Sequence, residues 1–351
     1  MKLLITGGSG FIGSAVVRRA IAQGHSVVNV DALTYAASPE ALAAVADHPQ
    51  YAFVQADVCD RSALAACFAS HQPDRVMHLA AESHVDRAID RPDDCVTTNI
   101  LGTFELLEAT RAYWQGAGCP ASFRFHQVST DEVFGALTPT AAPFTEDSAY
   151  APRSPYAASK ASADHLAAAW HATYGLPVVL SNCSNNFGPF QHPEKLIPLT
   201  ILKALAGEPI PLYGDGSAVR DWLFVEDHAE ALLCIAQHGR LGQRYNVGAQ
   251  CERSNRDTVT LICQTLDTLR PRADGRYGTL ITEVADRPGH DARYAIDATR
   301  LSAELNWRPQ HSFEAAIAET VQWYLDNEDW WRPRWADYGG ARLGLGSEAA
   351  S

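Results

Sequence analysis

Two groups of side chains in this sequence have the types and spacing for proton transfer. Tyr156 and Lys160, in Tyr156-Ala157-Ala158-Ser159-Lys160, stand at i and i+4, on one face of a helix. An ammonium beside a phenol lowers the phenol's pKa, so the pair predicts a Tyr156 phenolate that accepts a proton near neutral pH. Ser154 and Pro155 have the types expected at the N-cap and first helical position. The second group is Thr130-Asp131-Glu132. Two adjacent carboxyls in different environments can divide the work, one staying protonated as an acid and the other ionised as a base. Each motif alone is weak, because Tyr-x-x-x-Lys is common by chance and an Asp-Glu pair is usually a solvated turn. Their meaning depends on the elements that position them.

Those elements follow from periodicity. Short apolar, β-branched runs at 3–6, 26–30, 52–55, 75–79, 123–128 and 178–181 read as strands, and helical patterns at 11–23, 61–69, 97–113 and 156–174 lie between most of them. Such alternation builds βαβ units, hence a parallel sheet covered on both faces. The expected fold class is α/β: a Rossmann-type doubly wound parallel sheet with a smaller, partly interleaved α/β substrate lobe. Residues 1–182 form the first domain, with 218–250 returning to it. The second lobe takes 183–217 and 251–335, and 339–351 reads as a frayed tail. Thr130-Asp131-Glu132 then falls at the carboxyl end of the fifth strand, where open α/β sheets put their sites. Ala81-Glu82-Ser83-His84 and Ser184-Asn185-Asn186 follow the fourth and sixth strands to the same edge.

Gly7-Gly8-Ser9-Gly10-Phe11-Ile12-Gly13 joins the first strand to the first helix. Glycines there let the backbone approach a pyrophosphate at a helix N-terminus, where free N–H groups and the dipole favour anions. The second strand ends at Asp31. An acid at that place hydrogen-bonds the ribose 2′-hydroxyl and repels a 2′-phosphate, which points to NAD rather than NADP. Asp57-Val58 follows the third strand, where either an adenine contact or the helix N-cap region before Arg61 would fall.

With 28 Lys plus Arg against 41 Asp plus Glu, the net charge of −13 argues against nucleic acid or anionic membrane as partner. Eight cysteines occur without a Cys-x-x-Cys pair or zinc-finger spacing, so they read as buried thiols of a reducing compartment, and no metal is expected. The apolar start Leu3-Leu4-Ile5-Thr6 is too short for a signal peptide or membrane span, and a cytoplasmic enzyme is expected.

Taken together, the glycine loop and Tyr156/Lys160 resemble the extended short-chain dehydrogenase/reductase superfamily. Further stretches resemble its dTDP-glucose 4,6-dehydratase family. They are His78-Leu79-Ala80-Ala81-Glu82-Ser83-His84-Val85-Asp86-Arg87, Ser129-Thr130-Asp131-Glu132-Val133-Phe134-Gly135 and Ser184-Asn185-Asn186-Phe187-Gly188-Pro189. Pro193-Glu194-Lys195-Leu196-Ile197-Pro198, Arg220-Asp221-Trp222-Leu223 and Asp286-Arg287-Pro288-Gly289-His290-Asp291 complete the set, and the likeness runs from about residue 2 to about 332. Departures are few. Phe134, Phe187 and Phe190 stand where many relatives carry Tyr, and Ala249-Gln250-Cys251 replaces a more glycine-rich turn.

The resemblance implies a redox-neutral dehydration in deoxysugar biosynthesis. Hydride passes from C4 of the glucose ring to bound NAD while Tyr156 takes the 4-hydroxyl proton. Glu132 removes the C5 proton, Asp131 protonates the departing C6 hydroxyl, hydride returns to C6 and a proton goes back to C5. Thr130 binds the 4-oxygen. Cofactor contacts carry over to Gly7, Gly10, Phe11, Ile12, Gly13, Asp31, Thr34, Asp57, Val58, Leu79, Ala80, Ala81, Ser83, Thr98, Tyr156, Lys160 and Asn186. Substrate contacts carry over to Ser83, Thr130, Asn185, Lys195, Leu196, Pro211, Tyr213, Arg220, Asn255, Arg287 and His290. A homodimer is implied, through helices that include the Ala-rich 156–174. A UDP-sugar 4-epimerase or decarboxylase also oxidises C4, but an epimerase needs no acid–base pair at C5 and C6, so Thr130-Asp131-Glu132 weighs against it. Intact Tyr156, Lys160, Asp131 and Glu132 weigh against a dinucleotide-binding sensor without catalysis.

Overall fold

The computed structural model describes residues 1–286 and 291–340. Its main sheet has seven parallel strands in the order β10-β6-β5-β4-β1-β2-β3. These are β1 (Lys2–Thr6), β2 (Ser26–Asp31), β3 (Tyr51–Gln55), β4 (Arg75–His78), β5 (Arg124–Thr130), β6 (Val178–Cys183) and β10 (Arg244–Val247). Successive side chains of a strand face opposite sides. Leu3 and Ile5 therefore pack under α1 (Phe11–Ala22) and α8 (Val225–His238), where Val16, Ala20, Ala229 and Leu232 lie. Leu4, Val28, Val76 and Phe125 face the other layer of α2 (Arg61–His71), α5 (Gly102–Gly116) and α6 (Pro155–Tyr174). Burial on both faces explains the near-continuous apolar runs of these strands.

Two differences from the periodicity bear on the site. Strand β5 runs on to Thr130 because β6 keeps pairing with it, Thr130 opposite Cys183. The helix expected from residue 97 opens instead with a π turn, Val96–Leu101, between short α3 (Val85–Asp90) and α4 (Pro92–Cys95) and the start of α5. That turn aims the buried Asn99 sideways. Its amide accepts from Glu82 N at 2.8 Å and donates to Glu82 O at 2.9 Å and Ser159 Oγ at 2.8 Å, pinning the loop after β4 to α6. At Gly102 a Cβ would stand 2.6 Å from the Val58 side chain, so α5 also touches the loop after β3.

The second lobe holds a three-stranded sheet, β11 (Glu252–Ser254), β9 (Val219–Phe224) and β7 (Asn185–Phe187), and a parallel pair, β8 (Ile210–Tyr213) and β12 (Ile281–Val284). Its core packs Phe187, Ile201, Trp222, Phe224, Ile262, Phe313 and Tyr324 from these strands and from α7 (Leu196–Ala206), α9 (Asn255–Leu269) and α11 (Phe313–Asp326). Helix α10 (Thr299–Leu305) packs beside β10, and α12 (Glu328–Tyr338) brings Trp330 and Trp331 into the second core. No helix of the described residues is long and apolar enough to cross a membrane.

Candidate active site

Strand order reverses around β1 and β4, and a cavity of about 350 Å³ opens at their carboxyl ends. The glycine loop closes one end of it. Gly7 has φ +71°, and a Cβ on Gly13 would stand 2.0 Å from Gly7 O, so this loop admits no side chain there. Helix α1 starts after Gly10 without a side-chain cap, which leaves first-turn N–H groups available to an anion. Asp31 is buried. Its carboxylate accepts from Ser9 N at 2.9 Å and from Leu33 N at 2.8 Å. Each oxygen keeps a lone pair for a ribose hydroxyl. No Lys or Arg occurs between Arg19 and Arg61 to pair with a 2′-phosphate. These residues fit a dinucleotide of the NAD type.

Every cofactor candidate borders this one cavity: Gly7, Gly10, Phe11, Ile12, Gly13, Asp31, Thr34, Asp57, Val58, Leu79, Ala80, Ala81, Ser83, Thr98, Tyr156, Lys160 and Asn186. The cap of α2 is Asp60, whose carboxylate accepts from Ala63 N at 3.0 Å, while Asp57 holds Cys59 N at 2.8 Å and faces the cavity.

The acid–base groups reach the cavity from two neighbouring elements. Ser154 caps α6 by accepting from Ala157 N at 3.0 Å, and one turn on Tyr156 and Lys160 are both buried against the sheet. Lys160 Nζ donates to Val128 O at 2.7 Å. One further turn along, Asp164 is fully buried and accepts from Tyr150 Oη at 2.6 Å and Asn182 Nδ2 at 3.2 Å. Asn182 Nδ2 also donates to Thr130 O at 3.0 Å, which ties the α6 network to the end of β5. The expected lowering of the Tyr156 pKa does not occur. Burial, reinforced by the charge of Glu132, pushes the phenol well up, and burial also lowers Lys160 against the opposing charge of Asp164. Spacing alone put the ammonium beside the phenol. The fold buries both and engages the ammonium with a backbone carbonyl, so desolvation outweighs the pairing.

Thr130 ends β5, and its Oγ1 accepts from Glu132 N at 3.3 Å to start the single turn Asp131–Phe134. Asp131 is 2% exposed. Burial first, then the charges of Glu132 and Asp221, hold its carboxyl well above the usual range, against the opposing charge of Arg220. Among the described residues Asp131 Oδ2 is buried without a hydrogen-bond partner, and Thr130 Oγ1 lies 3.4 Å from Oδ1. Glu132 is partly exposed and faces the cavity. Neighbouring carboxyls thus occupy different environments, one buried with its ionised form disfavoured and one facing the cavity.

Among the substrate candidates, Ser83, Thr130, Asn185 and Lys195 line the cavity, whereas Leu196, Pro211, Tyr213, Arg220 and Asn255 do not. Leu196 opens α7 next to Lys195, and Pro211 and Tyr213 lie on β8. Arg220 on β9 is buried with its guanidinium 4.8 Å over the Tyr294 ring. Asn255 opens α9 with a buried Oδ1 that has no hydrogen-bond partner among the described residues. Arg287 and His290 lie outside the described residues. Local patterns also missed Ser38, Cys183, His192, Glu194, Trp330 and Arg334, all of which line the cavity. Trp330 and Arg334 carry no local signal at all, since they approach the site only through the packing of α12.

Comparison with known proteins agrees with this arrangement. The GDP-mannose 4,6 dehydratase family matches residues 4–320. A dTDP-glucose 4,6-dehydratase of Neisseria meningitidis serogroup B is 56% identical over 337 residues, covering 94% of this chain and 95% of its own. The dTDP-glucose 4,6-dehydratase 1 of Escherichia coli K12 is 55% identical, with 94% of each chain covered. Among solved structures, a dTDP-glucose 4,6-dehydratase of Streptomyces venezuelae with NAD and dTDP bound superposes with a TM-score of 0.87 at 42% identity, covering 95% of this chain and 100% of that one. A UDP-glucose 4-epimerase of Thermus thermophilus in complex with NAD gives 0.81 at 29% identity, with 93% and 100% covered. The parallel sheet with its reversal at β1 and β4, the glycine loop beneath it and the near full-length likeness establish that the chain belongs to the GDP-mannose 4,6 dehydratase family, within the short-chain dehydrogenase/reductase superfamily.

Proposed function

We propose that this protein converts dTDP-glucose to dTDP-4-dehydro-6-deoxy-glucose and water. The observation that carries the reading is the carboxyl pair at the end of β5. The buried Asp131 has its carboxyl pushed well above the usual range while Glu132 faces the cavity, beside Tyr156 and Lys160. Bound NAD supplies a hydride acceptor for C4, a hydride donor for C6 and, when oxidised, a positive ring that offsets the burial of the phenol. Tyr156 takes the 4-hydroxyl proton, and Thr130 holds the 4-oxygen. A carbonyl at C4 makes the C5 proton acidic; Glu132 removes it and returns a proton to C5 when hydride arrives at C6. Asp131 gives its proton to the C6 hydroxyl, which leaves as water. Lys195, Arg220 and Arg287 supply the local cations for the diphosphate of an otherwise acidic protein. Incubation with dTDP-glucose should give the alkali-induced chromophore of a 4-ketosugar. Formation of dTDP-galactose would replace the reading with a 4-epimerase.

Two variants test parts of this scheme. Glu132→Gln should slow exchange of the C5 proton with solvent by about 10²-fold or more. Deuterium incorporation at C5 as fast as in the parent would reject Glu132 as the base. Gly13→Ala forces a methyl group against Gly7 O, and overpacking costs about 1–3 kcal/mol. NAD affinity should fall at least about tenfold on that account. Unchanged nucleotide content after gel filtration would show that the loop does not seat the cofactor.

We further infer a cytoplasmic homodimer. All eight cysteines are unpaired, as in a reducing compartment. The outer side of α6 exposes Ala158, Ala168 and Ala169, and nearby Ile89, Val96 and Leu101 are exposed apolar side chains. Sedimentation at the mass of one chain would exclude the dimer. We read 1–182 with 225–250 as the NAD domain and 183–224 with 251–335 as the sugar-nucleotide lobe; residues 219–224, expected to return to the first domain, form β9 and pair with β7 and β11 of the second sheet.

A further inference from the structure

This inference rests on the reading of the central cavity as an NAD site. The proposed reaction takes hydrogen from C4 and returns it to C6 of the same sugar. A cofactor that escaped between those steps would strand both the enzyme and a reactive intermediate. Retention is therefore part of the chemistry. The glycine loop and Asp31 seat one side of the dinucleotide, but the segment after Asp31, residues 32–38, crosses the cavity as irregular chain and then a single turn, Pro39–Leu42. Loops of that kind open locally at low cost unless something holds them.

Something does hold it, from nearly the far end of the chain. Ser38 is 4% exposed, and its amide donates to Ser9 O of the glycine loop at 2.7 Å. Its hydroxyl accepts from Trp330 Nε1 at 2.8 Å and from Arg334 Nη2 at 3.2 Å. Arg334 Nη2 also donates to Glu40 Oε2 at 2.6 Å, and Nη1 holds Trp330 O at 2.8 Å. The guanidinium stacks 4.5 Å over the Trp330 ring. Trp330 and Arg334 both line the cavity, and Trp330 is rooted in the second core against Phe190 and Trp323. One helix of the second lobe thus grips, through one hydroxyl and one carboxylate, the loop that lines one side of the first lobe's cleft.

We propose that α12 is a cofactor-retaining clasp, in which Trp330 and Arg334 hold Ser38 and Glu40 so that the dinucleotide stays enclosed from the first hydride transfer to the second. These are positioning residues, acting through the loop they hold. The bond from Trp330 is buried, so its loss matters more than that of the Arg334–Glu40 pair, whose carboxylate is largely exposed.

The test measures exchange of bound NAD, not turnover. Purified holoenzyme is mixed with excess radiolabelled NAD, and the label retained by protein is followed over time. Trp330→Phe keeps an aromatic ring in that core and removes the N–H together with the rest of the pyrrole ring. Combined with Arg334→Ala, it removes the polar links of the clasp. The double variant should exchange NAD about tenfold faster or more, with Tm close to the parent. Arg332→Ala is the control. Its guanidinium pairs with Glu328 on the same helix and is 64% exposed, and it should exchange at the parent rate. Exchange by the double variant at the parent rate overturns the clasp, as does equal acceleration by Arg332→Ala. A parent protein that neither contains nor takes up NAD fails in its own control, and that result removes the cofactor reading itself along with the clasp.

Discussion

Replacing Tyr156 by Phe should lower the rate of C4 oxidation by about 10³-fold or more, the scale of a lost general base. The readout is absorbance of reduced nicotinamide in a single turnover with dTDP-glucose. Reduction at the parent rate would show that another group takes the 4-hydroxyl proton. The fold should survive, because the ring sits in a small apolar cluster with Ala88 and Cys95, and Phe refills that space. The proton count adds a second expectation. Over one cycle Tyr156 gains the 4-hydroxyl proton, which the ketone product never takes back, and Asp131 loses one to the departing water. Both must be reset before the next substrate. In the Phe variant the first step fails, so Asp131 should never be discharged, and no sugar-derived oxygen should appear in solvent water.

Asp131→Asn should separate the two halves of the reaction. Water loss should slow by about 10²-fold or more while C4 oxidation continues, so reduced nicotinamide accumulates on the enzyme. Equal slowing of both steps would argue against Asp131 as the acid. Stability should move the other way. The folded-state pKa of Asp131 lies above its unfolded value, so its contribution is present at low pH and lost as pH rises through the folded value. Asn carries no charge to desolvate. The variant should therefore melt no lower than the parent at neutral pH, with any advantage growing as pH rises. A Tm that falls with increasing pH relative to the parent would show that Asp131 is ionised in the native site.

Much of the fold was legible because its rules are local. Short apolar, β-branched runs marked six of the seven main-sheet strands, and the remaining one is β10 at the edge of the sheet. Its pairing with β6 is a contact between segments about 60 residues apart, which periodicity does not encode. The π turn at Val96–Leu101 was invisible for a related reason. It exists so that Asn99 can hold Glu82 and Ser159, and those partners belong to other elements.

The sequence by itself determined the chemistry that contiguous residues carry: the glycine cradle with Asp31 after it, the Tyr156–Lys160 helix spacing, and the carboxyl pair at a strand end. Each depends on backbone geometry over a few residues, and such geometry follows from residue type. Only the tertiary structure decided the charge states and the enclosure. Asp131 is pushed well up because burial, then the charges of Glu132 and of Asp221 on β9, disfavour its ionised form, and Tyr156 rises rather than falls because the packing removes water from it. The loop over the cleft is held by Trp330 and Arg334, almost 300 residues from Ser38. Desolvation and long-range contact are sums over everything that packs nearby, and no spacing rule within one segment contains them.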